Sequence, residues 1–117
     1  MRKGDMAIKD DCIFCKIINK QIPAKFVYED EDVVSFPDIN PKAKIHLLVV
    51  PKVHREGLSA LAKEDALTVG KLMVAVQKVA KKMNMDSFRI IINSGKDAGQ
   101  TVFHLHLHLV SADGIIV

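Results

Sequence analysis

Phe103-His104-Leu105-His106-Leu107-His108-Leu109-Val110, close to the C-terminus, alternates imidazole with hydrocarbon. In an extended strand successive side chains point to opposite faces, so this period sets His104, His106 and His108 on one side and Phe103, Leu105, Leu107 and Leu109 on the other. At a rise of roughly 3.3 Å per residue, neighbouring imidazoles stand about 6.6 Å apart, room for a phosphate-sized group. Any half-exposed antiparallel strand alternates in this way. Histidine is an unusual filler for a solvent face, however, and three of the chain's five histidines occupy this short run. Two chemistries fit the triplet taken alone. His-x-His on a strand can grip a catalytic metal, or one imidazole can act as a nucleophile that its neighbours orient. A hydrolytic zinc with three histidines usually needs a carboxylate at hand, and no Asp or Glu lies between Asp97 and Asp113, which counts against the metal.

Upstream of the triplet, Asn93 to Thr101 is a loop of small polar residues with glycines at 95 and 99. Glycine lets backbone amides approach an anion, and successive amides in a tight turn form an anion-binding concavity. Gly99, Gln100 and Thr101 are therefore expected to hold phosphate beside His106. Strands are expected at Lys25 to Glu29, Val33 to Phe36, Ile45 to Val50 and Phe88 to Ile92, rich in β-branched and aromatic residues, with the histidine run as the fifth. Apolar residues at 13, 14, 17 and 18 predict a short helix that Pro23 limits. The segment from about Ser59 to Met83 predicts one long helix, its stripe of Leu58, Leu61, Val69, Leu72, Met73, Val76, Val79, Ala80 and Met83 packed on the sheet's apolar side. The order of elements describes an α+β domain built on a five-stranded antiparallel sheet.

The chain's 117 residues suit one domain, residues 11–117, after a charged, aperiodic tail over residues 1–10 that is expected to be flexible. Its 17 basic and 14 acidic residues are dispersed, giving +3, which argues weakly for small anions and against nucleic acid. Six aromatics, with no Trp, make no stacking platform for single strands. No run resembles a signal peptide or a membrane span, so a soluble, cytoplasmic protein is expected. Cys12 and Cys15, in a chain without an export signal, point to metal or redox use before a structural disulfide.

The run His104-Leu105-His106-Leu107-His108-Leu109-Val110 resembles the signature of the histidine triad (HIT) family, in which histidine alternates with apolar residues. The resemblance extends to Cys12-Ile13-Phe14-Cys15-Lys16-Ile17-Ile18, Ile22-Pro23-Ala24-Lys25, Phe36-Pro37-Asp38-Ile39-Asn40-Pro41, His46-Leu47-Leu48-Val49-Val50-Pro51-Lys52 and Asn93-Ser94-Gly95, and is nearest to the nucleotide-binding Hint-like branch. It implies the HIT-like fold, a homodimer formed through the long helix and an edge strand, and a purine nucleoside 5′-phosphoramidate hydrolase that releases AMP or GMP. His106 would carry a covalent nucleotidyl intermediate and His108 would stabilise phosphate charge, while His104 and His46 would fix the tautomer of His106. Asn93, Gly99, Thr101 and Val102 match phosphate-site positions. Asp38 and the Ile39 backbone would hold the ribose, and Phe14, Ile17, Phe36 and Leu48 the base. Without the family, Phe14, Ile17 and Leu48 read simply as core. A dinucleoside polyphosphate hydrolase and a non-catalytic nucleotide-binding or protein-interaction module are the alternatives.

Thr101 stands where relatives often carry Ser, and Pro37 where many carry His. The ending Gly114-Ile115-Ile116-Val117 replaces a Trp-containing tail, and His108 disfavours the galactose-1-phosphate uridylyltransferase branch, which has Gln there. The Cys-x-x-Cys pair supplies two of four ligands for a structural zinc. As in relatives that keep the pair, His54 and His104 would complete the set; a pair of free buried thiols is the other reading. A thioredoxin-like role lacks the βαβ frame it needs. No organic cofactor is expected.

Overall fold

The computed structural model describes residues 11–114. The tail expected over residues 1–10, and residues 115–117 of the distinctive C-terminal ending, lie outside the described residues. In chain order the elements are helix α1 (Ile13–Ile18), strands β1 (Tyr28–Glu29), β2 (Val33–Pro37) and β3 (His46–Pro51), helix α2 (Ala66–Lys82), and strands β4 (Phe88–Ile91) and β5 (Leu107–Ser111). The five strands form one sheet in the order β1-β2-β3-β5-β4, every pair antiparallel.

Strand alternation sorts the side chains onto two faces. One receives Val33, Leu47, Val49, Leu107 and Leu109, with Leu105 just before β5, and packs against Leu72, Ala75, Val76 and Val79 of α2. The other receives Val34, Phe36, Leu48 and Val50 and packs against Cys12, Phe14, Cys15, Ile17 and Ile18 in and beside α1. In β5 the register pairs Leu48 with His108 and Leu47 with Leu109. His108 therefore faces α1 while its leucine neighbours face α2.

Three expectations need correction. The long helix begins at Ala66, not near Ser59: residues 58–65 form two single 3₁₀ turns, Leu58–Ala60 and Lys63–Asp65. There the Asp65 carboxylate accepts the Ala62 N–H at 2.8 Å and the Arg55 Nε–H at 2.9 Å, so it serves as the start signal for the helix that follows. Leu58 and Met73, assigned to the core stripe, are exposed. Finally, β5 begins at Leu107 rather than Phe103, because the Leu105 N–H donates to the Arg55 carbonyl at 2.6 Å instead of to a sheet neighbour. Phe103, expected in the core, is 45% exposed as a result.

Candidate functional site

The hydrogen-bond partners fix the tautomer of each of the chain's five imidazoles, because a carbonyl or carboxylate can only accept and a backbone N–H can only donate. His106 Nδ1 lies 2.7 Å from the carbonyl of His104. That nitrogen carries the proton, and Nε2 is left with a bare lone pair. His46 Nδ1 accepts the Lys42 backbone N–H at 3.0 Å, so in neutral His46 the proton sits on Nε2. From there it is donated to His108 Nδ1 at 2.9 Å, and His108 in turn carries its proton on Nε2. A nucleophilic nitrogen and an N–H donor thus stand on neighbouring rings, their centroids 5.2 Å apart.

Both rings line a cavity of about 790 Å³. It is lined by the apolar side chains of Phe14, Ile17, Ile22, Phe36, Leu48 and Val102 and by Asp38, Asn93, Gly99 and Thr101. The Phe14 ring meets Phe36 edge-on at 5.7 Å and His106 edge-on at 5.1 Å, the T-shaped arrangement that aromatic pairs prefer. Ile39, 92% exposed, stands at the rim. Asp38 accepts the Asn40 N–H at 2.8 Å through Oδ1, while its Oδ2 lies 3.4 Å from His46 Nε2.

Burial holds these imidazoles neutral. Desolvation lowers the pKa of His106 below its ordinary 6.5, despite the opposing hydrogen bond to the His104 carbonyl. Burial first, then the neighbouring His106 and His46, push His108 down to about 4. Burial also lowers His46, against the pull of Asp38. At neutral pH the lone pair on His106 is available and His108 donates as a neutral N–H.

Two clusters of ligating side chains lie among the described residues: Cys12, Cys15, His54 and His104, and Asp38, His46 and His108. Tautomers separate them. His104 Nε2–H donates to the Pro51 carbonyl at 2.8 Å, and His54 Nε2–H to the Glu56 carboxylate at 3.0 Å. Each ring therefore turns an unprotonated Nδ1 toward the sulfurs, with the outer acceptor that metal-bound histidine usually keeps. Cys12 Sγ lies 3.4 Å from His104 Nδ1, Cys15 Sγ 3.4 Å from His54 Nδ1, and the two Nδ1 atoms are 3.1 Å apart. A tetrahedral zinc with N and S ligands at about 2.0 and 2.3 Å requires about 3.3 Å between two nitrogens and about 3.5 Å between nitrogen and sulfur. The donor set fits. Without a metal, the two thiol protons would have to bridge the same gaps. In the second cluster His46 Nε2 carries the proton that the Lys42 N–H forces onto it, and a protonated nitrogen is no ligand.

The residues singled out from sequence are largely brought together. Phe14, Ile17, Phe36, Asp38, Ile39, Leu48, Asn93, Gly99, Thr101, Val102, His46, His106 and His108 all line the one cavity. His104 does not; its ring is turned into the cysteine cluster, and it meets His106 through its main-chain carbonyl. His46 reaches His108, not His106. The Gln100 side chain is buried behind the loop and bonds to main chain. Sequence reasoning missed the Lys42 amide, which carries no side-chain signal, and Glu56, whose place two residues after His54 was the available clue.

A family model described as "Scavenger mRNA decapping enzyme C-term binding" matches residues 11–114. Protein HitA of Neisseria gonorrhoeae is 51% identical over 102 residues, covering 86% of this chain and 95% of that protein. A 14 kDa zinc-binding protein of Brassica juncea is 44% identical over 104 residues, covering 86% and 91%. Among solved structures, a histidine triad protein from Clostridium difficile superposes with a TM-score of 0.88 at 42% identity, covering 93% of this chain and 96% of that one. A HIT family hydrolase from Clostridium thermocellum gives 0.87 at 38% identity, covering 93% and 98%.

Proposed function

The chain belongs to the histidine triad family, and from that premise we propose that it is a purine nucleoside 5′-phosphoramidate hydrolase working through a nucleotidyl-histidine intermediate. One observation carries the reading: the bare Nε2 of His106 and the N–H of His108 are held side by side on the wall of a cavity lined by both apolar and polar side chains. The base would lie between Phe14, Ile17, Phe36 and Leu48, the ribose against Asp38 and the Ile39 backbone, and the α-phosphate against Asn93, Gly99, Thr101 and Val102. His106 Nε2 forms a bond to phosphorus while the P–N bond to the leaving amine breaks, the amine departing with a proton taken up from solvent. Water then forms the new P–O bond and gives up one proton to solvent, the Nε2–P bond breaks with its electron pair returning to Nε2, and AMP or GMP is released. Covalent capture divides one hard displacement into two easier ones, and the His108 N–H stabilises charge that grows on the phosphoryl oxygens.

Cys12, Cys15, His54 and His104 would hold zinc as a structural clamp between α1 and the end of β3, with no part in bond-breaking. The homodimer is proposed through α2 and β4, where Leu67, Met73, Val74, Phe88 and Ile90 leave hydrocarbon exposed. A cytoplasmic setting accords with Cys12 and Cys15 not being joined in a disulfide; among the described residues no helix is long and apolar enough to cross a membrane.

Incubation with an adenosine phosphoramidate should release AMP, and rapid quench should trap one AMP on one imidazole by mass spectrometry. His106→Ala should abolish both. Turnover retained in that variant removes the nucleophile, and faster cleavage of a dinucleoside polyphosphate moves the substrate class.

A further inference from the structure

The phosphate-side loop is closed by one side chain that does not face the cavity. Gln100, 5% exposed, receives the Gly95 N–H on Oε1 at 2.9 Å, while its own backbone N–H donates to the Gly95 carbonyl at 3.1 Å. Between these two bonds the chain makes a single 3₁₀ turn, Lys96–Ala98, flanked by Gly95 at φ 95° and Gly99 at φ 98°, left-handed values that glycine adopts without strain. The amide nitrogen of Gln100 is also fully used: Nε2 donates to the Glu56 carbonyl at 2.7 Å and to the Val102 carbonyl at 3.1 Å. Every polar atom of that side chain is committed to main chain, on both sides of the loop neck and on the segment that follows β3.

Room for this amide has been left at Gly57. Its φ of 174° is ordinary extended backbone, so glycine is not needed there for conformation. A Cβ at that position would lie 3.0 Å from Gln100 Oε1 and 3.1 Å from Nε2. The contact is too close for a side chain that three hydrogen bonds already hold.

We propose that Gln100 is a positioning residue: it sets the distance of Gly99, Thr101 and Val102 from His106, and residue 57 is glycine so that it can. The inference rests on the hydrolase reading for what the loop holds, and on geometry alone for how the loop is held. Buried polar side chains that bond only to main chain fix a loop more sharply than apolar packing does, because each bond is directional and costly to leave unmade.

Three variants test it. Gln100→Met keeps the volume and removes the bonds; kcat should fall about 10²-fold, the size expected when reacting groups shift by about 1 Å, with the loss in kcat more than in KM, and melting temperature should fall as well because the partners of the amide are left unpaired. Gly57→Ala should cost about threefold to tenfold in the native background and nothing in Gln100→Ala, where the added methyl enters vacated space. A kcat for Gln100→Met within about twofold of the native protein, or a Gly57→Ala cost that is the same in both backgrounds, overturns the proposal. Melting temperature lost with kcat kept would make Gln100 a packing residue, which also overturns it. Should the native protein release no AMP, the hydrolase reading fails by itself. The brace is then judged by amide exchange at Gly95: faster in Gln100→Met and in Gly57→Ala upholds it, unchanged sinks it.

Discussion

Replacing His46 tests the hydrogen-bond chain that runs from the Lys42 amide through His46 to His108. Asn, Gln and Phe separate its two ends. Asn offers an acceptor where Nδ1 was and loses the Nε2–H; Gln offers a donor where Nε2 was; Phe keeps the ring and has neither. The bond at stake, His46 Nε2–H to His108 Nδ1 at 2.9 Å, is what keeps the His108 proton on Nε2. A net hydrogen bond contributes about 1 kcal/mol, up to about 1.5, and 1.4 kcal/mol is about tenfold in rate. His46→Phe and His46→Asn should therefore lower kcat roughly fivefold to tenfold, and His46→Gln should stay near the native rate. Steady-state AMP release measures the rates, and ¹⁵N shifts of the His108 ring report where its proton sits. Native rates in both Phe and Asn, or a Gln variant as slow as Phe, would refute the reasoning, as would a His108 tautomer that is the same in all four proteins.

Acid should weaken the fold through His108. Its folded pKa is pushed down to about 4 against an ordinary value near 6.5, so between those values the unfolded chain takes up a proton that the folded chain refuses. The stabilisation is complete above pH 6.5 and is lost as pH falls toward 4, by at most about 3 kcal/mol; urea unfolding at pH 7.5 and 4.5 should show a smaller loss in His108→Gln. Purified protein should carry about one zinc per chain, and Cys12→Ser should lose it; metal content unchanged in that variant would rule out the site. Gly70 lies inside α2 with nothing within 4 Å of a Cβ added there, and Gly70→Ala should stabilise by about 0.5 to 1 kcal/mol in thermal or urea unfolding.

The two-faced sheet was legible because strand alternation is a local rule, and Leu105, Leu107 and Leu109 obey it into the α2 core. The cysteine cluster and the cavity wall were legible through motif resemblance, residue by residue. Part of what escaped was set by long-range backbone bonding. The Arg55 carbonyl captures the Leu105 N–H and delays β5, and no periodicity in the histidine run signals that. The start of α2 escaped for a local reason: the spacing of Leu58 and Leu61 satisfies a 3₁₀ turn as well as an α-helix, and the Asp65 carboxylate on the Ala62 N–H marks where the helix begins. Gln100 was expected to hold phosphate as one of the successive backbone amides of a glycine turn; the fold commits that N–H to the Gly95 carbonyl and turns the side-chain amide inward.

His104 joins the two centres by separate parts of itself. Its ring belongs to the thiol cluster, whereas the contact that orients the nucleophile is made by its carbonyl, which every amino acid possesses. No exchange of side chain at that position can delete the second contact. Descendants of such a chain are thus free to discard the cysteines, His54 and the imidazole of residue 104 one after another while inheriting the aimed lone pair intact, so ancestry of the metal and ancestry of the catalyst need not coincide.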